Sequence, residues 1–262
     1  QALPKDLLES QTAEVIGALL ARQSNMSVKL SRNMDLWEWN IGPLILRSMT
    51  DCYITLAWIL KDPILRAKQY ISYGLGQEKL MIEHYKEQLK EEVDEDSRKA
   101  LQAMIDSQES WLNNQHFSFL QEVDVGNWSG LKTRDMAEQC GAMSLYRFAY
   151  TPYSTCAHNI WNHIGKFNCR HSSNPLHKFI RTPFFFEMAG EPSVFMNSVK
   201  YLEKCFTAVA DTFSLRISAA MPYDWSADRI GSLAEALKKY YEESAEQPPS
   251  LRTRSPEQQK ES

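Results

Sequence analysis

The apolar positions of this chain recur at helical spacing from near its start. Leu7, Leu8, Val15, Leu19, Leu20 and Met26 form one stripe and Pro4 suits a first helical turn, which predicts a helix from Pro4 onward. Gly42-Pro43 punctuates that pattern, and the strongly apolar run from about Leu44 to Lys61 predicts a second helix. Asp62-Pro63 reads as an N-cap followed by a proline at the first helical position, so a third helix runs on to about Glu92. Charges thicken from Glu87 to Asp96, as at an exposed hairpin tip, before a fourth helix from about Ser97 to Glu122. Long neighbours of this kind pair antiparallel, and the expectation is an all-α, multi-helix bundle.

After Val125-Gly126-Asn127 polar residues crowd onto the apolar framework. Thr133 is the expected N-cap of a short helix, with Asp135 in its first turn and Gly141 at its end. Ser144 precedes an aromatic helix that meets Pro152, which either kinks it or opens a new one. A connection from about Gly165 to Pro192 carries Phe184-Phe185-Phe186, and no segment has a clear strand pattern. Two further helices are expected, about Ser193 to Met221 and Asp224 to Glu243. The pattern predicts one helical domain over residues 1–244 and a disordered, proline-bearing polar tail over 245–262.

Composition narrows the function classes. With 43% hydrophobic and 24% charged residues in 262, the chain is an ordinary globular one, able to bury a core without staples. A net charge of −4 gives no global attraction to phosphate, so an RNA partner would need a local basic patch. Cys52, Cys140, Cys156, Cys169 and Cys205 are odd in number, scattered and without C-x-x-C spacing, the usage of reduced thiols in the cytoplasm. Arg47 and Asp51 interrupt the apolar run Leu44 to Leu60, which falls short of the roughly 18 uninterrupted residues of a membrane span. No signal peptide is visible, and because the chain opens on Gln1 rather than Met an upstream segment stays open.

Two constellations carry candidate chemistry. Arg47 and Asp51 stand four apart on an otherwise apolar helix and share a face; a buried ion pair is the commoner outcome, and presentation of the guanidinium to an anion the sharper one. If the helix continues through Pro152, Tyr146, Tyr150, Ser154 and His158 form a four-residue row of hydroxyl and imidazole groups fit for hydrogen bonding or proton transfer. Packed tyrosines and a satisfied histidine are the bland alternative. His158, His163, Cys169, His171 and His177 cluster in sequence but match no zinc spacing, and no glycine-rich or Walker loop is present, so neither metal nor cofactor is expected. Gly74 and Gly76 are expected to serve close helix packing.

Two resemblances follow from these residues. The all-α pattern is similar to the helical ribonucleases known as higher eukaryote and prokaryote nucleotide-binding domains, whose active members carry Arg and then His after four to six residues on a helix. Here the nearest match is Arg170 to His177, with the turn signal Asn174-Pro175 inside it. More of the chain, about residues 30 to 167, resembles a bacterial helical family catalogued as domain of unknown function five-six-seven-seven. That resemblance rests on Arg47-x3-Asp51, on Asp62-Pro63 with Arg66 and Tyr70, on Trp128-Ser129-Gly130 with Met136-Ala137, and on Tyr146, Tyr150, Ser154 and His158. It implies an all-helical bacterial domain of a kind often encoded near phage-defence genes, and no activity.

The expected function is a non-catalytic binding or effector module in anti-phage defence, with Arg47, Asp51, Tyr146, Arg147, Ser154 and His158 around an anionic ligand. Arg47 or Arg147 would receive the anion, Asp51 orient an arginine, and Tyr146, Ser154 and His158 complete the hydrogen bonds. One alternative is a metal-independent ribonuclease with His158 as general acid and base. Another is a structural subunit docking a protein partner, or a second copy, through Phe184-Phe185-Phe186.

Overall fold

The computed structural model describes residues 10–115, 128–186 and 190–232. The expected helix start at Pro4, the helix end at Glu122 and the tail after residue 244 lie outside them. The chain divides into two compact units, residues 1–217 and 218–262. In the second, the described residues form a helix over 222–232, where the Arg229 guanidinium lies over Trp225.

The first unit is a bundle around α2 (Gly42–Ile59), whose Leu46, Met49, Ile54, Leu56 and Ile59 are fully buried. A helix apolar on nearly every side has to be surrounded, and α2 meets α1 (Ser10–Ser31), α5 (Thr133–Gln139), α7 (Thr151–Ala157) and α9 (Pro192–Phe213). Polar pairs fix the direction of two neighbours. Gln23 Nε2 donates to the Met49 carbonyl at 2.9 Å and to Cys205 Sγ at 3.1 Å, while the buried Ser27 and Ser198 hydroxyls share a 3.2 Å bond. Partner numbers on α9 fall as those on α1 rise, so these helices run antiparallel. Gly42 lets the starts of α2 and α9 approach: a Cβ there would lie 2.6 Å from Val194 Cγ1 and 3.0 Å from the Leu36 carbonyl oxygen.

Helix α3 (Pro63–Glu91) begins as the sequence predicts, with the Asp62 side chain accepting from the Leu65 amide and Pro63 in the first turn. It folds back as a hairpin onto α4 (Glu95–Asn113) over a separate core of Leu75, Ile82, Leu101, Ile105 and Leu112. Lys86 ties the pair, with Nζ 2.7 Å from Glu109 and 3.0 Å from Glu83.

Four expectations need correction. Thr133 is the first helical residue of α5, not its cap; Lys132 holds the cap position, and its amide bonds Asp135 at 3.3 Å. A Cβ on Gly74 would meet nothing within 4 Å, so no close packing demands that glycine. The connection after α8 (Trp161–Phe167) contains a two-stranded antiparallel hairpin, β1 (Cys169–His171) with β2 (Arg181–Pro183), too short to show an alternating pattern. Finally, α9 stops at Phe213 rather than near Met221, because Ser214 turns left-handed at φ 52°. No glycine marks that stop. Among the described residues no helix is long and apolar enough to cross a membrane.

Candidate anion-binding site

Pro152 decides the geometry of the aromatic segment. Proline has no amide hydrogen and its ring crowds the carbonyl four residues back, here that of Phe148. The chain answers by widening. After α6 (Met143–Leu145), residues Tyr146–Tyr150 form a π turn, and the Thr151 amide and hydroxyl both reach the Tyr146 carbonyl, the hydroxyl at 2.9 Å. The helix then continues as α7, so Pro152 neither breaks it nor starts a separate one. Tyr146 and Tyr150 stack at 4.9 Å between centroids, and the Ser154 hydroxyl donates to the Tyr150 carbonyl at 2.7 Å.

Arg47 reaches this segment from α2. Its Nε donates to Ser154 Oγ at 2.7 Å, its guanidinium carbon lies 3.3 Å from the Tyr150 ring centroid, and Nη1 stands 3.6 Å from Asp51 Oδ1. The serine hydroxyl thus donates once and accepts once, which fixes the guanidinium's orientation. Asp51 is the looser partner, with a side chain 47% exposed against 17% for Arg47. Burial raises the Asp51 carboxyl above its ordinary value, outweighing the opposing pull of Arg47 and Arg22.

Arg22 on α1 is the neighbour that the sequence reading missed. Its Nη2 donates to Ser48 Oγ at 3.0 Å, one residue along α2 from Arg47. Ser48 also borders a groove of about 390 Å³ between α1 and α2 that includes Asn25 and Lys29. Two guanidinium groups, those of Arg22 and Arg47, therefore flank a single half-exposed carboxylate. Arg22, Asn25 and Lys29 recur at helical spacing on α1; that pattern was available, but a polar face on a first helix ordinarily reads as a solvated one.

The structure gathers Arg47, Asp51, Ser154 and Tyr150 and stacks Tyr146 behind them. It leaves Arg147 and His158 exposed. His158 is the C-cap of α7 because Asn159 adopts φ 53°, and the Ile160 amide returns to the Thr155 carbonyl at 2.9 Å. The four-residue row therefore ends before His158 completes its turn. Arg170 lies on β1 with its guanidinium over Phe184, and His177 lies on a short 3-10 turn, so this pair shares no helix. His163 faces Asn40 Oδ1 at 3.4 Å and His171 the Lys178 carbonyl at 3.0 Å; among the described residues no group of His, Cys, Asp or Glu could hold a metal ion. Burial pushes the Cys52 and Cys205 thiols up to about 12, unsuited to nucleophilic chemistry. Phe184 and Phe186 pack edge to face at 4.6 Å, whereas Phe185 is exposed.

The other motif residues build a clamp. Trp128 meets Trp58 and Tyr70 edge-on at 5.3 and 4.9 Å, Arg66 lies over Trp58, and Ser129 Oγ accepts from the Leu131 amide at 3.2 Å.

A family model described as a family of unknown function, DUF5677, matches residues 13–174, more than half of the chain. The chain belongs to this family. The matched span contains Arg22, Arg47, Asp51, the π turn and the clamp, and stops before α9. No curated protein and no solved structure matches the chain.

Proposed function

We propose that this protein is a non-catalytic binding module whose Arg47 site takes a phosphate-bearing ligand. The observation that supports this most is the mounting of Arg47. Ser154 and Tyr150 hold the guanidinium in place while one N–H goes to Ser154 and only a 3.6 Å contact reaches Asp51, so the remaining donors of a five-donor group suit phosphate oxygens. Arg22 adds a second guanidinium across Asp51. A binding reading is favoured over ribonuclease action because His158 stands at a helix end, with no described acidic side chain bonded to it, rather than on Arg47. The anti-phage setting is carried over from the family resemblance alone.

Calorimetric titration with adenosine monophosphate tests the site. Arg47→Ala should weaken binding at least about tenfold, the loss expected for a charge-assisted hydrogen bond. Equal heats for the two proteins would remove the site from consideration. Metal-free RNA cleavage that falls about 100-fold or more in His158→Ala would instead establish the ribonuclease. Phage plating on cells expressing either protein tests the setting, with protection lost in Arg47→Ala.

A further inference from the structure

On the other side of the π turn lies a second cavity, bounded by α7 and α9. It measures about 570 Å³, larger than the α1/α2 groove and within the range of small-molecule sites. Tyr53 lines it from α2, two residues beyond Asp51 and so on a nearly opposite helix face, which separates it from the Arg47 site. Its walls are aromatic, including Trp39, Tyr53, Phe148 and Tyr153. Phe148, carried on the π turn, is 80% exposed at this wall, a large apolar surface left uncovered.

The polar side chains of the cavity are Ser144, Asn197, tyrosine hydroxyls and two lysines, so its only charges are cationic. Lys200 and Lys204 stand four apart on α9 and so on one face, and neither forms an ion pair among the described residues. No Asp or Glu lines the cavity, although the chain carries a net charge of −4. Tyr153 and Tyr201 share one 3.1 Å hydroxyl bond. Two hydroxyls carry two hydrogens and that bond uses one, so the other is left to donate. Solvated lysines at a rim are common, but a rim without carboxylates, above aromatic walls and a spare tyrosine proton, selects one ligand chemistry.

We propose that this cavity binds a small molecule with an aromatic body and a single anionic group, the body against Phe148 and Tyr53 and the anion between Lys200 and Lys204. The site is independent of Arg47, and either can fail without the other.

Fluorescence titration with anilinonaphthalene sulfonate, an aromatic anion, tests this beside its uncharged relative phenylnaphthylamine. The sulfonate should saturate one site per chain. Lys200→Ala/Lys204→Ala should weaken it about tenfold or more while leaving the neutral probe within about twofold, and Phe148→Ala should weaken both. Lys68→Ala, which removes an exposed charge from α3, controls for net charge. All the substituted side chains are exposed, so folding should survive, and unchanged circular dichroism confirms it. Sulfonate binding indifferent to the lysine pair, or neutral binding as tight as sulfonate binding, overturns the proposal.

Discussion

Arg47 and Arg66 each place a guanidinium over an aromatic ring, 3.3 Å from the centroid of Tyr150 and 3.7 Å from that of Trp58. Their remaining contacts differ. Arg66 Nη1 donates at 2.5 Å to the Trp58 carbonyl in the last turn of α2, which also accepts from the Lys61 amide at 3.2 Å. The ring beneath it is 4% exposed, donates from Nε1 to Gln139 Oε1 at 2.8 Å, and is held edge-on by Trp128. Arg66 is turned inward and closes a helix end. Arg47 bonds a side-chain hydroxyl and faces a half-exposed carboxylate with another arginine beyond it. Arginine over an aromatic ring does not by itself mark a binding site; what distinguishes Arg47 is its setting, beside a half-exposed carboxylate with a second arginine beyond it, where Arg66 bonds only backbone.

The sharpest test of the structural half is Trp128→Ala. Trp128 supports Trp58 and Tyr70 at once, and its removal leaves a gap that neither ring can fill. A loss of about 3 kcal/mol in chemical denaturation is expected, at the low end for a large aromatic because Trp128 is only partly buried. Adenosine monophosphate binding by the protein that remains folded should be unchanged. A stable variant that has lost the ligand would move the clamp into the site and break the comparison.

Replacing each arginine by lysine sharpens it further. Lysine keeps the charge and loses the planar fork and its stacking. Arg66→Lys should cost about 1 kcal/mol of stability and leave binding alone, because its bond to the α2 carbonyl is part of the fold. Arg47→Lys should cost about half as much in stability and weaken adenosine monophosphate several-fold, since an ammonium neither stacks flat on Tyr150 nor offers a phosphate two parallel donors. The reverse pattern would exchange the roles assigned to the two residues.

The long helices were legible because their apolar periodicity and Asp62-Pro63 act locally, and Gly141 ends α5 for the reason glycine usually does, a left-handed turn at φ 75°. Pairing Arg47 with Asp51 needed only the helical repeat. What brings Ser154 to Arg47 is the packing of α7 on α2, a contact 107 residues apart that no local pattern encodes. The end of the tyrosine row had a local signal, since asparagine tolerates the left-handed conformation that Asn159 adopts; the halt of α9 at Ser214 had none. Arg22 was hidden for a different reason: only the docking of α1 distinguishes its exposed face from any solvated one.

The smallest effect expected concerns Asp51. Its raised carboxyl means that the folded protein binds the proton more tightly than the unfolded chain does. Its contribution to stability is therefore fully present below the unfolded carboxylate value of 3.8, declines as pH rises through the raised folded value, and is flat above it. Water screens a side chain that is 47% exposed, so the amplitude should stay below about 0.5 kcal/mol. Asp51→Asn removes this slope, and the stability difference between variant and parent, read by denaturation between about pH 3 and 7, should move in the variant's favour as pH rises. The same substitution deletes the negative charge between Arg22 and Arg47, so adenosine monophosphate should bind about twofold more tightly at neutral pH, the scale of a screened surface pair. Weaker binding by Asp51→Asn would give the carboxylate a different role, aligning Arg47 rather than competing for it, and Ser154 and Tyr150 would no longer suffice as its mount.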